Sequence, residues 1–330
     1  MKVLLTGANG FVGSHILDRL RADGIPTVLL LRRRSNTRFI APHLPHVEVH
    51  HGGLDDLPAL RQAVAGATHV LHCAGATKAL RAEGLFAANQ AGTRNLVQVV
   101  NETAESATPV QRLVHLSSLA AGRAGTRAAP ACEDEPSEPL SEYGRSKRAG
   151  EREVIAGCRR EFVVLRPCAV YGPRDAEFLR LFKAARAHVL PVFGGGRQEL
   201  SLVFAPDLAA AAVRTLTGPG IAGRVLNVAG AEVVTARELA AAIARASAGW
   251  MFRLSLPAGV LKLVCALASA GARITRQATV LAHGKYRELT APGWVCDTTR
   301  LQSAMGPLCQ TRLADGLSAT LAWYREQGWL

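Results

Sequence analysis

Short runs of apolar residues alternate along the chain with longer stretches in which apolar positions recur every three or four residues. The short runs predict strands buried on both faces of a sheet, and the longer stretches predict amphipathic helices. Strands are predicted at 2–6, 27–31, 46–50, 68–72, 111–117, 161–166 and 224–228, with a helix near 207–217. Because such strands and helices alternate, we predict an α/β fold built on a doubly wound parallel sheet.

The first predicted strand runs directly into a glycine-rich turn. Gly7, Gly10 and Gly13 follow it with two residues between successive glycines, and 14–20 has the pattern of a helix. A strand, a glycine turn and a helix N-terminus together present backbone N–H groups to a pyrophosphate. Gly7 would permit the tight turn, Gly10 the approach of the phosphates, and Gly13 the close packing of helix on strand. The segment therefore predicts a dinucleotide-binding (Rossmann) domain.

The alternating pattern loosens after residue 172 and returns once. We assign residues 1–172 and 201–229 to the Rossmann domain. Residues 173–200 and 230–330 are assigned to a smaller, mainly helical domain that binds the substrate. Ligands of doubly wound sheets bind at the carboxyl ends of the strands, so the site is expected where the two parts meet.

Near the middle of the chain, a tyrosine and a lysine stand four residues apart. Tyr143 and Lys147 would share one face of a helix, and Ser117 and Ser118 end the apolar run that precedes them. A cation beside a phenol favours the phenolate, which makes Tyr143 a candidate acid or base near neutral pH. The spacing alone is weak, since a surface pair would also show it, and the context of the pair decides.

The chain around this pair resembles an extended short-chain dehydrogenase/reductase, a member of the superfamily of NAD(P)-dependent epimerases and dehydratases. In character the chain is closest to the branch of dihydroflavonol reductases and 3β-hydroxysteroid dehydrogenases. The resemblance covers almost the whole chain, in the family's order and spacing, and is carried by residues 6–13, 71–75, 89–93, 114–118, 143–147 and 165–173.

The resemblance implies a catalytic triad. Tyr143 would be the proton donor or acceptor, Lys147 would hold the nicotinamide ribose and lower the pKa of the tyrosine, and Ser118 would hydrogen-bond the reacting oxygen. Ser118 is preferred to Ser117 because it lies 25 residues before Tyr143 and matches the last serine of the family's pair. The implied contacts of the cofactor are Gly7, Asn9, Gly10, Phe11, Val12, Gly13, Arg32, Arg33, Leu54, Cys73, Ala74, Gly75, Asn89, Ser117, Tyr143, Lys147, Pro167 and Cys168.

The end of the second strand bears on the choice of cofactor. Leu31 stands where members that prefer NAD have an acidic residue, and Arg32 and Arg33 follow it. A carboxylate there would repel the 2′-phosphate of NADP, whereas guanidinium groups bind it bidentately. NADP is therefore the predicted cofactor, with NAD as the alternative.

Two departures from the nucleotide-sugar members of the family bear on the substrate. Leu200 stands where those members carry an arginine that grips a diphosphate, and Arg197 lies nearby but out of register. The stretch 254–274 is apolar, is interrupted by Lys262, and is too short and interrupted for a membrane span. It is either a core helix of the small domain, an apolar wall of the substrate site, or a contact with a membrane surface.

These features predict a ketone reductase or alcohol dehydrogenase that acts on a hydrophobic substrate, such as a sterol, a polycyclic terpenoid or a hydroxylated lipid. An epimerase or dehydratase of nucleotide-linked sugars is the alternative. A protein that only senses the cofactor is a third hypothesis, which the intact triad disfavours. The resemblance also implies a homodimer formed through the helices near 84–105 and 143–157.

Charge and composition narrow the possible partners and the location. The net charge of +13 is mostly arginine spread over many segments, and aromatic residues are only 5%, so nucleic-acid binding is not predicted. Anionic cofactors or membrane surfaces suit this charge better. Seven scattered cysteines without a Cys-x-x-Cys pair, and a strand with a phosphate loop in place of a signal peptide, predict a cytoplasmic protein.

Two clusters of polar residues are given no role in catalysis. Four histidines between 43 and 51 have no ligand pattern with carboxylates or cysteines, so no metal is predicted. The acidic residues between 133 and 138 are expected to form a solvated loop.

Overall fold

The protein is described by a computed structural model that covers residues 1–247, 252–256, 258–275 and 285–330. The strands are Val3–Thr6 (β1), Thr27–Leu31 (β2), Glu48–His51 (β3), His69–His72 (β4), Arg112–Leu116 (β5), Glu161–Pro167 (β6), Ala169–Tyr171 (β7), Val189–Phe193 (β8), Glu199–Phe204 (β9), Arg224–Val228 (β10), Val233–Thr235 (β11), Phe252–Leu256 (β12) and Gly293–Trp294 (β13). The α-helices are Phe11–Ala22 (α1), Leu57–Val64 (α2), Ala82–Phe86 (α3), Gly92–Glu102 (α4), Glu142–Gly157 (α5), Ala176–Arg186 (α6), Ala205–Thr215 (α7), Ala236–Ala246 (α8), Ala258–Thr275 (α9), Lys285–Thr290 (α10), Thr299–Met305 (α11) and Leu313–Glu326 (α12).

Seven parallel strands form the main sheet, in the order β3-β2-β1-β4-β5-β6-β10. The first strand of the chain lies inside the sheet and the chain winds outward from it in both directions, which is the doubly wound arrangement. One apolar core lies between the sheet and helices α1, α7 and α11, and a second lies between the sheet and α2, α4 and α5. The predicted fold class is confirmed, and every predicted strand forms within two residues of its expected ends.

The rest of the chain forms smaller sheets and helices. β9 pairs with β11, β13 and β7, while β8 and β12 form a separate parallel pair. Residues 201–204, which the sequence assigns to the Rossmann domain, therefore belong to a strand of the small sheet. Hydrogen-bond pairing decides this membership, and an apolar run does not reveal its pairing partner. Helix α7 and strand β10, by contrast, pack with the Rossmann part.

The acidic loop between β5 and α5 is only partly solvated, because Asp134 and Glu138 are exposed as expected but the side chain of Glu133 is 3% exposed. The carboxylate of Glu133 accepts a hydrogen bond from the backbone N–H of Asn227 at 2.9 Å. The guanidinium of Arg123 donates to Glu135, and Arg300 of α11 pairs with the loop as well. These bonds tie the segment that leads into α5 to the last strand of the main sheet.

The apolar stretch predicted at 254–274 covers the end of β12 and most of α9, and residue 257 lies outside the described residues. One side of α9 is packed, since Leu261 and Cys265 are buried, but several of its large apolar side chains are exposed. Within the described ranges, the chain offers no helix with the length and hydrophobicity that a membrane span requires.

Candidate functional site

The glycine turn after β1 forms the N-terminus of α1. The helix begins at Phe11, three residues earlier than predicted, with Gly10 as its N-cap. Gly7 has a φ of +76°, and a Cβ added there would lie 2.6 Å from the backbone nitrogen of Ala74. A Cβ added at Gly13 would lie 2.1 Å from the carbonyl oxygen of Gly7. The first turn of α1 carries no acidic residue, so this cradle presents an electropositive helix end of the kind that binds a pyrophosphate.

The loop after β4 lies against this turn and is held by Asn89. The Asn89 side chain accepts a hydrogen bond from the N–H of Ala76 at 2.8 Å and donates to its carbonyl oxygen at 2.9 Å. It also donates to the hydroxyl of Ser146 on α5 at 2.9 Å. Asn89 lies in a π-helical turn, residues Ala87–Ala91, between α3 and α4. Predicted as a cofactor contact, Asn89 thus fixes the loop of Cys73, Ala74 and Gly75 to the helix that carries Tyr143.

Lys147 on α5 is buried at the end of β5, with 6% of its surface exposed. Its Nζ donates a hydrogen bond to the carbonyl oxygen of Leu116 at 2.6 Å. Burial lowers the pKa of the lysine to about 8, while the nearby Cys73 and Glu151 act to raise it. Lys147 also faces the loop after β4, because a Cβ at Gly75 would lie 3.7 Å from its Nζ.

Tyr143 lies one helical turn before Lys147 and close to Ser118. Burial raises the pKa of the phenol to about 12, a hydrogen bond with Ser118 acts to lower it, and the charges of Glu288 and Cys73 raise it further. The expected lowering of the tyrosine pKa by Lys147 is therefore not found in this structure, because burial dominates and the ammonium group contacts a backbone carbonyl. Tyr143 and Lys147 nevertheless both lie near the loop after β4, and Ser118 is hydrogen-bonded to Tyr143.

Ser117 and Ser118 point to different surroundings. Ser118 is partly exposed beside Tyr143, and its hydroxyl also accepts the N–H of Ala120 at 3.2 Å. Ser117 is buried, and its hydroxyl helps to lower the pKa of Glu151. The structure thus separates the two serines as strand alternation predicts, and it places Ser117 behind the site rather than towards the glycine turn.

A buried ion pair lies behind α5. Glu151 and Arg166 of β6 form two hydrogen bonds at 2.8 and 2.7 Å, and their side chains are 0% and 3% exposed. Burial opposes ionisation of Glu151, but the hydrogen bonds and charge of Arg166 outweigh it, so that the pKa of the carboxyl is lowered. Because Glu151 lies one turn after Lys147, this pair joins the helix of the triad to the main sheet.

The remaining predicted contacts of the cofactor lie along the carboxyl edge of the sheet. The side chains of Arg32 and Arg33 are exposed after β2 and make no hydrogen bond or ion pair with any described residue. Leu54 packs on α4, where a Cβ at Gly92 would lie 2.8 Å from it. Pro167 ends β6, and Cys168 follows it with a thiol that is buried. Asn9, Phe11 and Val12 are partly exposed in the glycine turn and at the start of α1.

Sequence reasoning missed Glu288 of α10. Its carboxylate accepts a hydrogen bond from the hydroxyl of Ser141, which caps the N-terminus of α5 by accepting the N–H of Gly144 at 3.0 Å. Glu288 is buried beside Tyr143, whose pKa it raises. It lies 145 residues after that tyrosine in a short helix, so no spacing could have connected the two.

Two buried histidines behind Lys147 were also missed. His72 is hydrogen-bonded to the hydroxyls of Thr6 at 2.7 Å and Thr93 at 3.0 Å, and burial lowers its pKa to about 3. Burial lowers the pKa of His115 as well, so both imidazoles are neutral near pH 7. Among the described residues, no group of three or more potential ligands is arranged to hold a metal ion.

Comparison with known proteins places this geometry in a family. The pattern of the NAD dependent epimerase/dehydratase family matches residues 3–229. A ceramide reductase of Caulobacter vibrioides is 33% identical over 329 residues, which cover 99% of this chain and 96% of that protein. A UDP-glucose 4-epimerase of Mycolicibacterium smegmatis is 31% identical over 266 residues, which cover 74% of this chain and 82% of that protein.

Solved structures show the same fold. DesIV, a dTDP-glucose 4,6-dehydratase from Streptomyces venezuelae with NAD and TYD bound, is similar with a TM-score of 0.80 and 23% identity, covering 100% of this chain and 98% of that one. The family pattern spans more than half of the chain and includes the glycine turn, Ser118, Tyr143 and Lys147. The chain therefore belongs to the NAD-dependent epimerase/dehydratase family and is an NAD(P)-dependent oxidoreductase of the extended short-chain dehydrogenase/reductase type.

Proposed function

We propose that this protein is an NADP-dependent reductase of a ketone on an apolar lipid, or in reverse a dehydrogenase of the corresponding alcohol. The observation that carries the proposal is that Tyr143, which interacts with Ser118, and buried Lys147 both face the loop after β4, which itself packs on the glycine turn. The cradle of Gly7 and Gly13, which admits no side chain, fits a dinucleotide pyrophosphate. When bound there, the nicotinamide would supply or accept a hydride.

The side chains of the triad would handle the proton and the substrate oxygen. Tyr143 would donate its phenolic proton to the carbonyl oxygen in the reduction, and the hydroxyl of Ser118 would hold that oxygen by a hydrogen bond. The ammonium of Lys147 would stabilise the phenolate that remains, since a cation nearby favours the ionised form. With a pKa of about 8, Lys147 is largely protonated at pH 7.

An apolar substrate is supported by residues of the small sheet. Leu200 of β9 packs into the apolar core around Tyr171 and occupies the position where the sugar-binding members carry arginine. Arg197 is exposed outside that strand. The likeness to a ceramide reductase makes a ceramide-like ketone the first substrate to test. A lipid substrate also suits a peripheral contact with a membrane, which we include in the proposal together with a homodimer formed through α3, α4 and α5.

The preference for NADP is supported by the turn after β2. The residue at the end of this strand is a buried leucine, Leu31, and it offers no carboxylate that would bind ribose hydroxyls or repel a phosphate. The guanidinium groups of Arg32 and Arg33 are exposed and have no partner among the described residues. They are available to bind a 2′-phosphate bidentately.

The proposed activity is tested in two mixtures of the purified protein, one with NADPH and a long-chain N-acylated amino ketone, and one with NAD+ or NADP+ and a UDP- or dTDP-linked sugar. The absorbance of the reduced nicotinamide and the mass of the products are followed. Stoichiometric consumption of NADPH with the ketone is the expected result. Conversion of a sugar without net consumption would establish the epimerase or dehydratase alternative instead.

The variant Tyr143→Phe tests the triad in the same assay. We expect it to lower turnover by about 10² to 10⁴-fold, because general acid catalysis is lost, and to bind NADPH as the unchanged protein does. Its matched control is Tyr286→Phe in α10, which removes a phenol outside the proposed triad. Full activity in Tyr143→Phe would show that this tyrosine is not the proton donor.

A further inference from the structure

Helix α9 exposes a continuous apolar face. Within the described residues seven large hydrophobic side chains are exposed, and four of them lie on this helix: Val260, Leu263, Val264 and Leu267, at 37, 59, 38 and 63%. Their spacing of three and four residues puts them on one side of the helix. Leu261 and Cys265, at 1% and 0%, attach the other side to the protein. Scattered single apolar residues are ordinary on a surface, but a continuous stripe indicates an interaction site.

The sequence that contains this helix carries charge of one sign. Between residues 239 and 287 the sequence has seven lysines and arginines and no aspartate or glutamate, so this stretch supplies +7 of the chain's net +13. Lys262 lies on α9 itself and is exposed, about 100° around the helix from Leu263. Basic residues that flank an apolar helix face are typical of helices that lie in the surface of an anionic bilayer.

We infer that α9 docks the protein on an anionic membrane surface, with Leu263 and Leu267 inserted among the lipids and Lys262 at the headgroups. A second copy of the chain is a poorer occupant, because a two-fold contact through this face would bring two stretches of +7 together. The helix is too short and interrupted to span the bilayer, so the contact is peripheral. The inference rests on the proposed function in one respect: a lipid ketone would be taken from the bilayer to which the enzyme is bound.

The test is co-sedimentation of the whole protein with vesicles of phosphatidylcholine alone or of phosphatidylcholine mixed with phosphatidylglycerol. We expect binding to the anionic vesicles that weakens with added salt, and at least tenfold weaker binding for the double variant Leu263→Ser/Leu267→Ser. Leu80→Ser, which changes another leucine of similar exposure (51%), should bind as the unchanged protein does. Lys262→Glu should weaken binding to the anionic vesicles and leave binding to neutral ones unchanged.

Further measurements separate this inference from the reductase proposal. Reduction of a short-chain, water-soluble ketone should be equal in the unchanged protein and in Leu263→Ser/Leu267→Ser, and circular dichroism should show that both are folded. Vesicle binding without any reductase activity would leave the docking surface standing and remove the proposed function. Unchanged vesicle binding in the double variant, or a change in oligomeric state in its place, would overturn the docking surface.

Discussion

A methyl group added at Gly13 should damage both the fold and the binding of the cofactor. The new carbon would lie 2.1 Å from the carbonyl oxygen and 2.7 Å from the carbonyl carbon of Gly7, and 3.0 Å from the Cα of Ala8. All three are backbone atoms, so no side chain can rotate away. Ordinary contact begins at 3.4 Å, so α1 and the glycine turn must separate by about 1 Å, which is overpacking of a fully packed site.

The separation has two measurable consequences. Overpacking of this kind costs about 1 to 3 kcal/mol, so we expect the free energy of unfolding of Gly13→Ala to fall by that amount. The same shift moves the helix N-terminus away from the pyrophosphate. Hydrogen bonds to a charged group are worth about 1.5 to 3 kcal/mol, so loss of one such bond to the pyrophosphate should weaken NADPH binding about 10 to 100-fold. Urea unfolding followed by circular dichroism and fluorescence titration with NADPH measure the two effects.

The matched control is the same substitution in another helix. Among the described residues, a Cβ at Gly271 of α9 meets no atom within 4 Å beyond its own helix, so Gly271→Ala should stabilise the protein by up to about 1 kcal/mol and leave NADPH affinity unchanged. If Gly13→Ala binds NADPH as tightly as the unchanged protein and unfolds at the same urea concentration, the glycine turn is not the cradle of the cofactor.

Three further perturbations test the rest of the site. The double variant Arg32→Ala/Arg33→Ala should bind NADPH about 10 to 100-fold more weakly and NADH unchanged in a titration, with Arg34→Ala as control; equal losses for both cofactors would refute the preference for NADP. Glu151→Gln removes a charge that raises the pKa of Lys147, so the alkaline limb of the pH profile of kcat/KM should move to lower pH. The same variant leaves the buried Arg166 without its ion pair, which should lower the free energy of unfolding by about 3 to 5 kcal/mol. Burial raises the pKa of Asp175 to about 6, against about 3.9 in the unfolded chain, so this group favours folding at low pH and that contribution is lost as pH rises through 6. In Asp175→Asn, which keeps an N-cap residue, the free energy of unfolding should therefore rise relative to that of the unchanged protein by about 1 to 3 kcal/mol between pH 4 and pH 8. Urea unfolding at both pH values measures this, and the same difference between the two proteins at pH 4 and at pH 8 would contradict it.

The sheet and the placement of Tyr143 and Lys147 on one helix were predictable because each rests on local patterns. Buried strands read as apolar runs, and a helix brings Tyr143 and Lys147 onto one face at a spacing of four. The glycine turn could be predicted because only glycine tolerates a backbone approach as close as the one at Gly13. These features need no knowledge of which distant segments meet, so the sequence alone could indicate them.

The features that sequence reasoning missed depend on distant segments. Glu288 contacts Ser141, the cap of α5, across 147 residues of sequence. The ion pair of Glu151 with Arg166 joins a helix to a strand, and the sequence does not show that both side chains point inward. The same holds for the acidic loop, whose Glu133 was expected in solvent and instead binds the backbone of Asn227. Burial of a charge is tolerated only when the charge is paired. A charged side chain is therefore predicted to be exposed unless its partner is known.

The protonation state of Tyr143 fits the proposed reduction. Tyr143, with a pKa of about 12, is a phenol at pH 7, which is the form that donates a proton to a carbonyl oxygen in a reduction. Oxidation of an alcohol would instead require the phenolate, and burial together with the carboxylate of Glu288 disfavours that form. Glu288 belongs to α10 in the smaller part of the chain and is hydrogen-bonded to the cap of the helix that carries the tyrosine. Because the charge of Glu288 raises the pKa of Tyr143, a variant that removes this carboxylate, Glu288→Gln, should lower that pKa and shift the alkaline limb of the pH profile of the reduction to lower pH.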